Sequence, residues 1–102
     1  MPGRIIKSIS GKLIRLTVER WQHIKERHPE VSAHKRKVLK TISDPDVVTR
    51  GWTDELIAIR KFETQDLVVV YKEEMEEGFI ITAFFIRSRI YFKKRGVIWN
   101  KH

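Results

Sequence analysis

The run Arg20-Trp21-Gln22-His23-Ile24-Lys25-Glu26-Arg27-His28-Pro29-Glu30 concentrates the groups best suited to acid–base chemistry. Wound as a helix, it puts His23 one turn before Arg27 on one flank with Arg20 beside them, while Trp21 and Ile24 share the apolar side. Imidazole is the side chain whose ordinary pKa, near 6.5, suits proton transfer at neutral pH. A neighbouring guanidinium can hold a phosphate and favours the neutral form of that imidazole. The same pattern also describes a solvated, charged helix face, and the spacing leaves both readings open. His28 falls on the apolar side at the helix end, where it serves either as a cap for carbonyls or as the rim of a site. His34 reads as structural and His102 as a terminal residue.

Metal chemistry is not expected. His23 and His28 are five residues apart, so on a helix they diverge by about 140° instead of converging as i, i+4 ligands do. The chain has no Cys, which excludes thiolate sites, redox motifs and disulfides. No cofactor is implied either: the sequence has no P-loop, no G-x-G-x-x-G and no G-x-S-x-G.

Later in the chain, polar residues interrupt apolar rows. Arg60 breaks the row Leu56, Ala58, Phe62, and a charge in such a row needs a partner or a ligand. Thr82 breaks the row Ile80, Phe84, Ile86, either as a functional hydroxyl or as an ordinary β-branched strand residue. Tyr71 and Lys72 end a central strand. Arg20, Arg60, Tyr71 and Lys72 are the candidates for binding phosphate.

The elements that must position these groups follow from periodicity. Ile5 and Ile6, then Leu13, Ile14 and Leu16, form two short extended pieces with Gly11 as the turn. Thr17 reads as the N-cap of a helix that runs to about His28, because Pro29 cannot continue it. A second helix is predicted from about Ser32 to Ser43, with Val31, Val38, Leu39 and Ile42 as its apolar stripe. After Gly51 the period changes to that of strands at Leu56–Phe62, Leu67–Lys72, Phe79–Arg87 and Ile90–Trp99, with a short one at Asp46–Thr49. Short polar links between them favour antiparallel neighbours. The expected architecture is α+β, two helices packed on a four- to five-stranded antiparallel sheet, over a single domain spanning residues 1–102. Leu67, Val69 and Tyr71 make one face of the middle strands apolar, and Val68 and Val70 the other. Two helices cover one face, so the N-terminal stretch or a symmetric second copy is expected to cover the opposite one.

Charge is unevenly spread. Residues 1–40 carry 11 basic and 3 acidic side chains, residues 41–86 carry 4 and 10, and residues 87–102 carry 6 and 0, for a net charge of +8. Basic ends around an acidic middle suit RNA, whose affinity for proteins is dominated by phosphate neutralisation. With no secretory h-region and no long apolar run, a soluble, cytoplasmic protein without a membrane partner is expected.

The segment from Leu16-Thr17 through Arg20-Trp21-x-His23-Ile24 to Arg27-His28-Pro29-Glu30 resembles the small phage-type nuclease domains of the barnase/EndoU/colicin/RelE-like fold. Asp44-Pro45-Asp46, Leu67-Val68-Val69-Val70 and Gly78-Phe79-Ile80-Ile81-Thr82-Ala83-Phe84 are similar to the same family, so the likeness extends over roughly residues 12 to 99. It implies two helices followed by a four-stranded antiparallel sheet, and a metal-independent endoribonuclease of the toxin or RNA-processing kind. Its partners would be RNA and, for toxin-like members, an inhibitor or antitoxin protein. Carried onto this chain, the motif matches make His23, Arg27, His28 and Thr82 the catalytic set. The expected reaction is attack by a ribose 2′-hydroxyl, with His23 as base, Arg27 with Arg60 or Arg20 as charge stabilisers, and His28 or Tyr71 as acid. The alternative is a non-catalytic RNA-binding or ribosome-associated module; a third reading is a protein-interaction domain that uses its exposed sheet face.

Overall fold

Thr17 starts the first helix by a local hydrogen bond. Its backbone is extended, with φ −72° and ψ 158°, and its hydroxyl oxygen accepts from the Arg20 amide at 3.0 Å. The helix, α1, spans Val18–Arg27 and buries Trp21 and Ile24; Pro29 ends it and opens a 3₁₀ turn, Pro29–Val31. In this computed structural model, which describes residues 3–101, the second helix α2 spans Lys35–Ser43 and starts three residues later than the periodicity predicts. The intervening residues belong to the 3₁₀ turn and the link after it. His102 lies outside the described residues.

Seven strands form one sheet: β1 Arg4–Lys7, β2 Leu13–Leu16, β3 Val47–Arg50, β4 Leu56–Phe62, β5 Gln65–Glu74, β6 Glu77–Ile86 and β7 Val97–Asn100. Their order across the sheet is β1-β2-β6-β5-β4-β3-β7. The β4–β5 and β5–β6 hairpins close as expected, and more tightly than predicted, because β5 and β6 run into the polar links. Glu63 and Met75 take the positive φ values that the two tight turns require, 59° and 27°.

The expected four- to five-stranded antiparallel sheet under two helices is therefore corrected in three ways. First, the N-terminal pieces do not lie across the sheet; they extend it. They pair as a hairpin around Gly11, whose φ is +83°, and β2 then runs parallel to β6, with Leu13–Arg15 against Glu77–Phe79. The sheet is mixed. Second, residues 90–99 are not one strand. Ile90–Lys93 make a single turn of helix, α3, and the chain reverses at Gly96, with φ +115°, before β7 pairs with β3. Third, α3 is what covers part of the second face. Phe92 is buried there against a cluster of Val47, Ile57, Ile59, Val68 and Val70, with Ile81, Phe84 and Ile86 at its margin. The N-terminal stretch does not lie over that face; it extends the sheet at its β6 edge.

The opposite face carries the larger core, where Trp21, Ile24, Val38 and Ile42 pack on Ala58, Leu67, Val69, Tyr71, Ile80 and Ala83. A register shift between Val70 and Tyr71 inserts one extra residue into β6, so that Tyr71 faces Ile80 while Val70 faces Thr82. The row Ile80, Thr82, Phe84, Ile86 is thus split. Ile80 faces the helices, and Thr82, Phe84 and Ile86 face the second side. The bulge changes the side that Thr82 serves.

Near this end of the sheet the strands leave no room for a side chain at Gly78. A Cβ there would lie 1.9 Å from the Lys72 carbonyl oxygen, which is fixed in the paired strand. Gly78→Ala is expected to cost about 1–3 kcal/mol, typical of overpacking, and to lower the urea midpoint at unchanged slope. An unchanged midpoint would mean that the β5–β6 ladder opens there without penalty.

Candidate functional site

The flank of α1 opposite Trp21 and Ile24 takes no part in packing. His23 and Arg27 are exposed and Arg20 is half-buried. Among the described residues, none of these three side chains has a hydrogen-bond or ion-pair partner. Thr17, Glu19, Arg20 and His23 line a hollow of about 300 Å³. Thr17 also borders a wider hollow of about 920 Å³, formed with Arg15, Gly78, Phe79 and the acidic turn from Glu74 to Glu77. Thr17 is the residue the two hollows have in common.

β2 pairs with β6 only as far as Phe79, so the remainder of that β6 edge is left to α1 and the 3₁₀ turn that follows it. His28 occupies this position. Its backbone amide closes α1 by donating to the Ile24 carbonyl at 2.8 Å, and with φ −134° and ψ 74° it has left the helical spiral. Its ring is consequently free of the orientation that helical spacing imposes. It lies over Phe84 with centroids 5.4 Å apart and planes inclined at 35°. Its Nδ1 is 3.7 Å from the Glu30 carboxylate. Thr82 and Phe84 share a face of β6, so His28 and Thr82 border the same stretch of sheet. His28 is both a helix terminator and a side chain at the sheet margin.

Three of the candidates for phosphate binding are otherwise engaged. Arg60 projects to the helix-covered side, where Nη1 donates to the Asp44 carbonyl at 2.7 Å and to its carboxylate at 3.1 Å. Asp44 ends α2, and hydrogen bonding to Lys101, with the charges of Lys101, Arg60 and Lys40, holds its carboxyl below the usual range. Arg60 therefore ties the end of α2 to β4, although its Nε is buried without a hydrogen-bond partner among the described residues. Tyr71 is 1% exposed within the helix-side core. Burial, with a smaller contribution from Glu73, pushes its phenol far above its ordinary range. A leaving oxygen cannot reach it. Lys72 lies on the second side but pairs with Asp54 at 3.2 Å and Glu74 at 3.8 Å; the Asp54 hydrogen bond chiefly raises its pKa.

Two groups on the second side escaped the sequence reading. Arg89 bridges Asp46 at 2.9 Å and the buried Asp66 at 2.5 Å, joining β3, β5 and the start of α3. A set of rings also surrounds Phe92: Phe84, Tyr91 and Trp52, the last beneath the Arg95 guanidinium. The signal available was the density of aromatics and cations in 87–102, which read as a strand in a basic tail.

Among the described residues no three His, Asp or Glu side chains converge to hold a metal ion, and no helix is long and apolar enough to cross a membrane. Compared with protein-family models, curated proteins and solved structures, the chain finds no match.

Proposed function

We propose that this protein is an endoribonuclease that works without a metal, and that the group Arg20, His23 and Arg27 on the exposed flank of α1, without side-chain partners among the described residues, is the observation that carries this reading. Two guanidiniums and an imidazole without partners among the described residues, with Arg20 and His23 beside a hollow, suit a phosphodiester: the cations neutralise it and the imidazole accepts a proton. His23 takes the proton of a ribose 2′-hydroxyl, and the 2′-oxygen attacks the adjacent phosphorus. Arg27 and Arg20 stabilise the charge that grows on the phosphorane oxygens. The bond from phosphorus to the 5′-oxygen then breaks, and the His28 ring, 3.7 Å from the Glu30 carboxylate, acts as the acid that supplies that oxygen with its proton. The products are a 2′,3′-cyclic phosphate and a 5′-hydroxyl. Arg60 and Tyr71 take no part, the first because Asp44 holds it and the second because it is buried.

The test is incubation of the purified protein with bulk RNA in excess chelator, followed by end analysis. Chelator-resistant cleavage that leaves 2′,3′-cyclic phosphates is expected. RNA that stays intact at equimolar protein overturns the reading. Intact RNA that is nonetheless bound in a salt-dependent manner identifies a binding module instead.

A further inference from the structure

We infer that the ring cluster on α3 and the β3–β4 link is a stacking platform for single-stranded RNA, with the cations of the C-terminal segment that lack a carboxylate partner among the described residues on its phosphates. This deepens the nuclease reading by naming the form of its substrate and rests on that reading only for the choice of RNA.

Trp52 and Tyr91 are 49% and 59% exposed, yet neither is loose. Both pack edge-on against the buried Phe92, with centroids 6.1 Å and 5.0 Å away and planes at 85° and 86°. Arg95 lies over Trp52 at 5.1 Å and is itself anchored, because Nε and Nη2 donate to the Gly51 carbonyl at 3.3 Å and 3.0 Å. A single exposed apolar side chain is common on a protein surface. Two large rings sharing one buried neighbour, one of them held by an anchored guanidinium, constitute a preorganised surface. Stacking on such rings loses little side-chain entropy, and every base offers a face to it.

The surrounding charge selects the occupant. Arg87, Lys93, Lys94 and Arg95 have no carboxylate partner among the described residues, whereas Arg89 is committed to Asp46 and Asp66. The acidic groups next to Trp52 are already engaged: Asp54 binds Lys72, and Thr53 donates to Glu55. Cations without a carboxylate partner among the described residues, beside exposed rings, match a polyanion with accessible bases. A duplex hides its base faces, so the strand must be single. From Phe92 the rings continue through Phe84, 6.2 Å away, to His28, 5.4 Å further on, which carries the series of rings to the C-terminal end of α1.

A short 2′-O-methyl oligouridine, which cannot undergo 2′-hydroxyl attack, is the probe, read by fluorescence anisotropy and by tryptophan emission. Binding should weaken linearly in log–log form with salt, with a slope of about −0.7 per phosphate neutralised. Trp52→Ala and Tyr91→Ala should each weaken it about tenfold or more, while Tyr91→Phe retains it. Quenching on binding should vanish in Trp52→Ala, which keeps Trp21 and Trp99 as internal references. Replacing Lys93 and Lys94 by Gln should make the slope shallower by about 0.7 for each phosphate that is no longer neutralised. Equal affinity for duplex RNA, no binding by the folded wild type, or full affinity in Trp52→Ala overturns the platform. Tight, Trp52-dependent binding by a protein that leaves ordinary RNA uncut supports the platform and refutes the nuclease reading alone.

Discussion

His23→Ala is expected to reduce RNA cleavage about 100-fold or more, while the stability of the protein stays within about 0.5 kcal/mol of wild type. The asymmetry follows from position. His23 lies on the exposed flank of α1, away from Trp21 and Ile24, and its side chain has no hydrogen-bond or ion-pair partner among the described residues. Arg27→Ala should behave in the same way, with a loss of about 10²–10³-fold if its guanidinium stabilises the phosphorane. Cleavage rates with a defined oligoribonucleotide, together with urea midpoints, check both halves. Thr82→Val provides the contrast, since it preserves β-branching on the face of β6 that His28 overlooks. Activity lost with folding retained would place Thr82 at the site. Undiminished cleavage in His23→Ala and Arg27→Ala would reduce the flank to a solvated surface and remove the basis of the proposed mechanism.

Arg89→Ala is expected to destabilise the fold by about 3–5 kcal/mol, the usual consequence of leaving a buried carboxylate without its partner. Asp66 is 1% exposed, and Arg89 is the side chain that joins it to Asp46. An Arg89→Ala, Asp66→Leu double variant should recover much of the loss, because both charges are then gone from the interior. The same network sets the acid limb of stability. Burial by itself would raise the Asp46 pKa, but hydrogen bonds from the Lys61 amide and the Arg89 guanidinium outweigh it and hold the carboxyl below its ordinary range. A carboxyl depressed in the folded state contributes stability above its unfolded pKa, near 3.9, and loses it as pH falls through the folded value. Unfolding midpoints should therefore drop below about pH 4, less steeply in Arg89→Ala than in wild type. Equal slopes in the two proteins would show that this network does not govern acid unfolding.

The parts of this molecule legible in its residues are those whose causes lie close together in the chain. Thr17 caps α1 through an amide three residues away, and Pro29 ends it by its own ring. Alternation along Leu67 to Tyr71 correctly separates the two faces of β5, because neighbouring residues in a strand must point to opposite sides. The divergence of His23 from the buried stripe follows from the same kind of geometry. Four outcomes depended on distant contacts. The pairing of β2 with β6 joins segments more than sixty residues apart, and nothing in Leu13–Leu16 marks its partner. Residues 90–93 are strand-forming types, yet burying Phe92 over Val68 and Val70 favours one helical turn there. The bulge opposite Val70 and Tyr71 sends Thr82 to the second face, and Asp44 claims the Arg60 that periodicity offered to a phosphate. Helix ends and strand alternation are settled by steric and hydrogen-bonding rules acting within a few residues. Register, the choice of partner strand and the pairing of a half-buried charge are settled by which surfaces can be buried together, and those surfaces meet once the chain has folded.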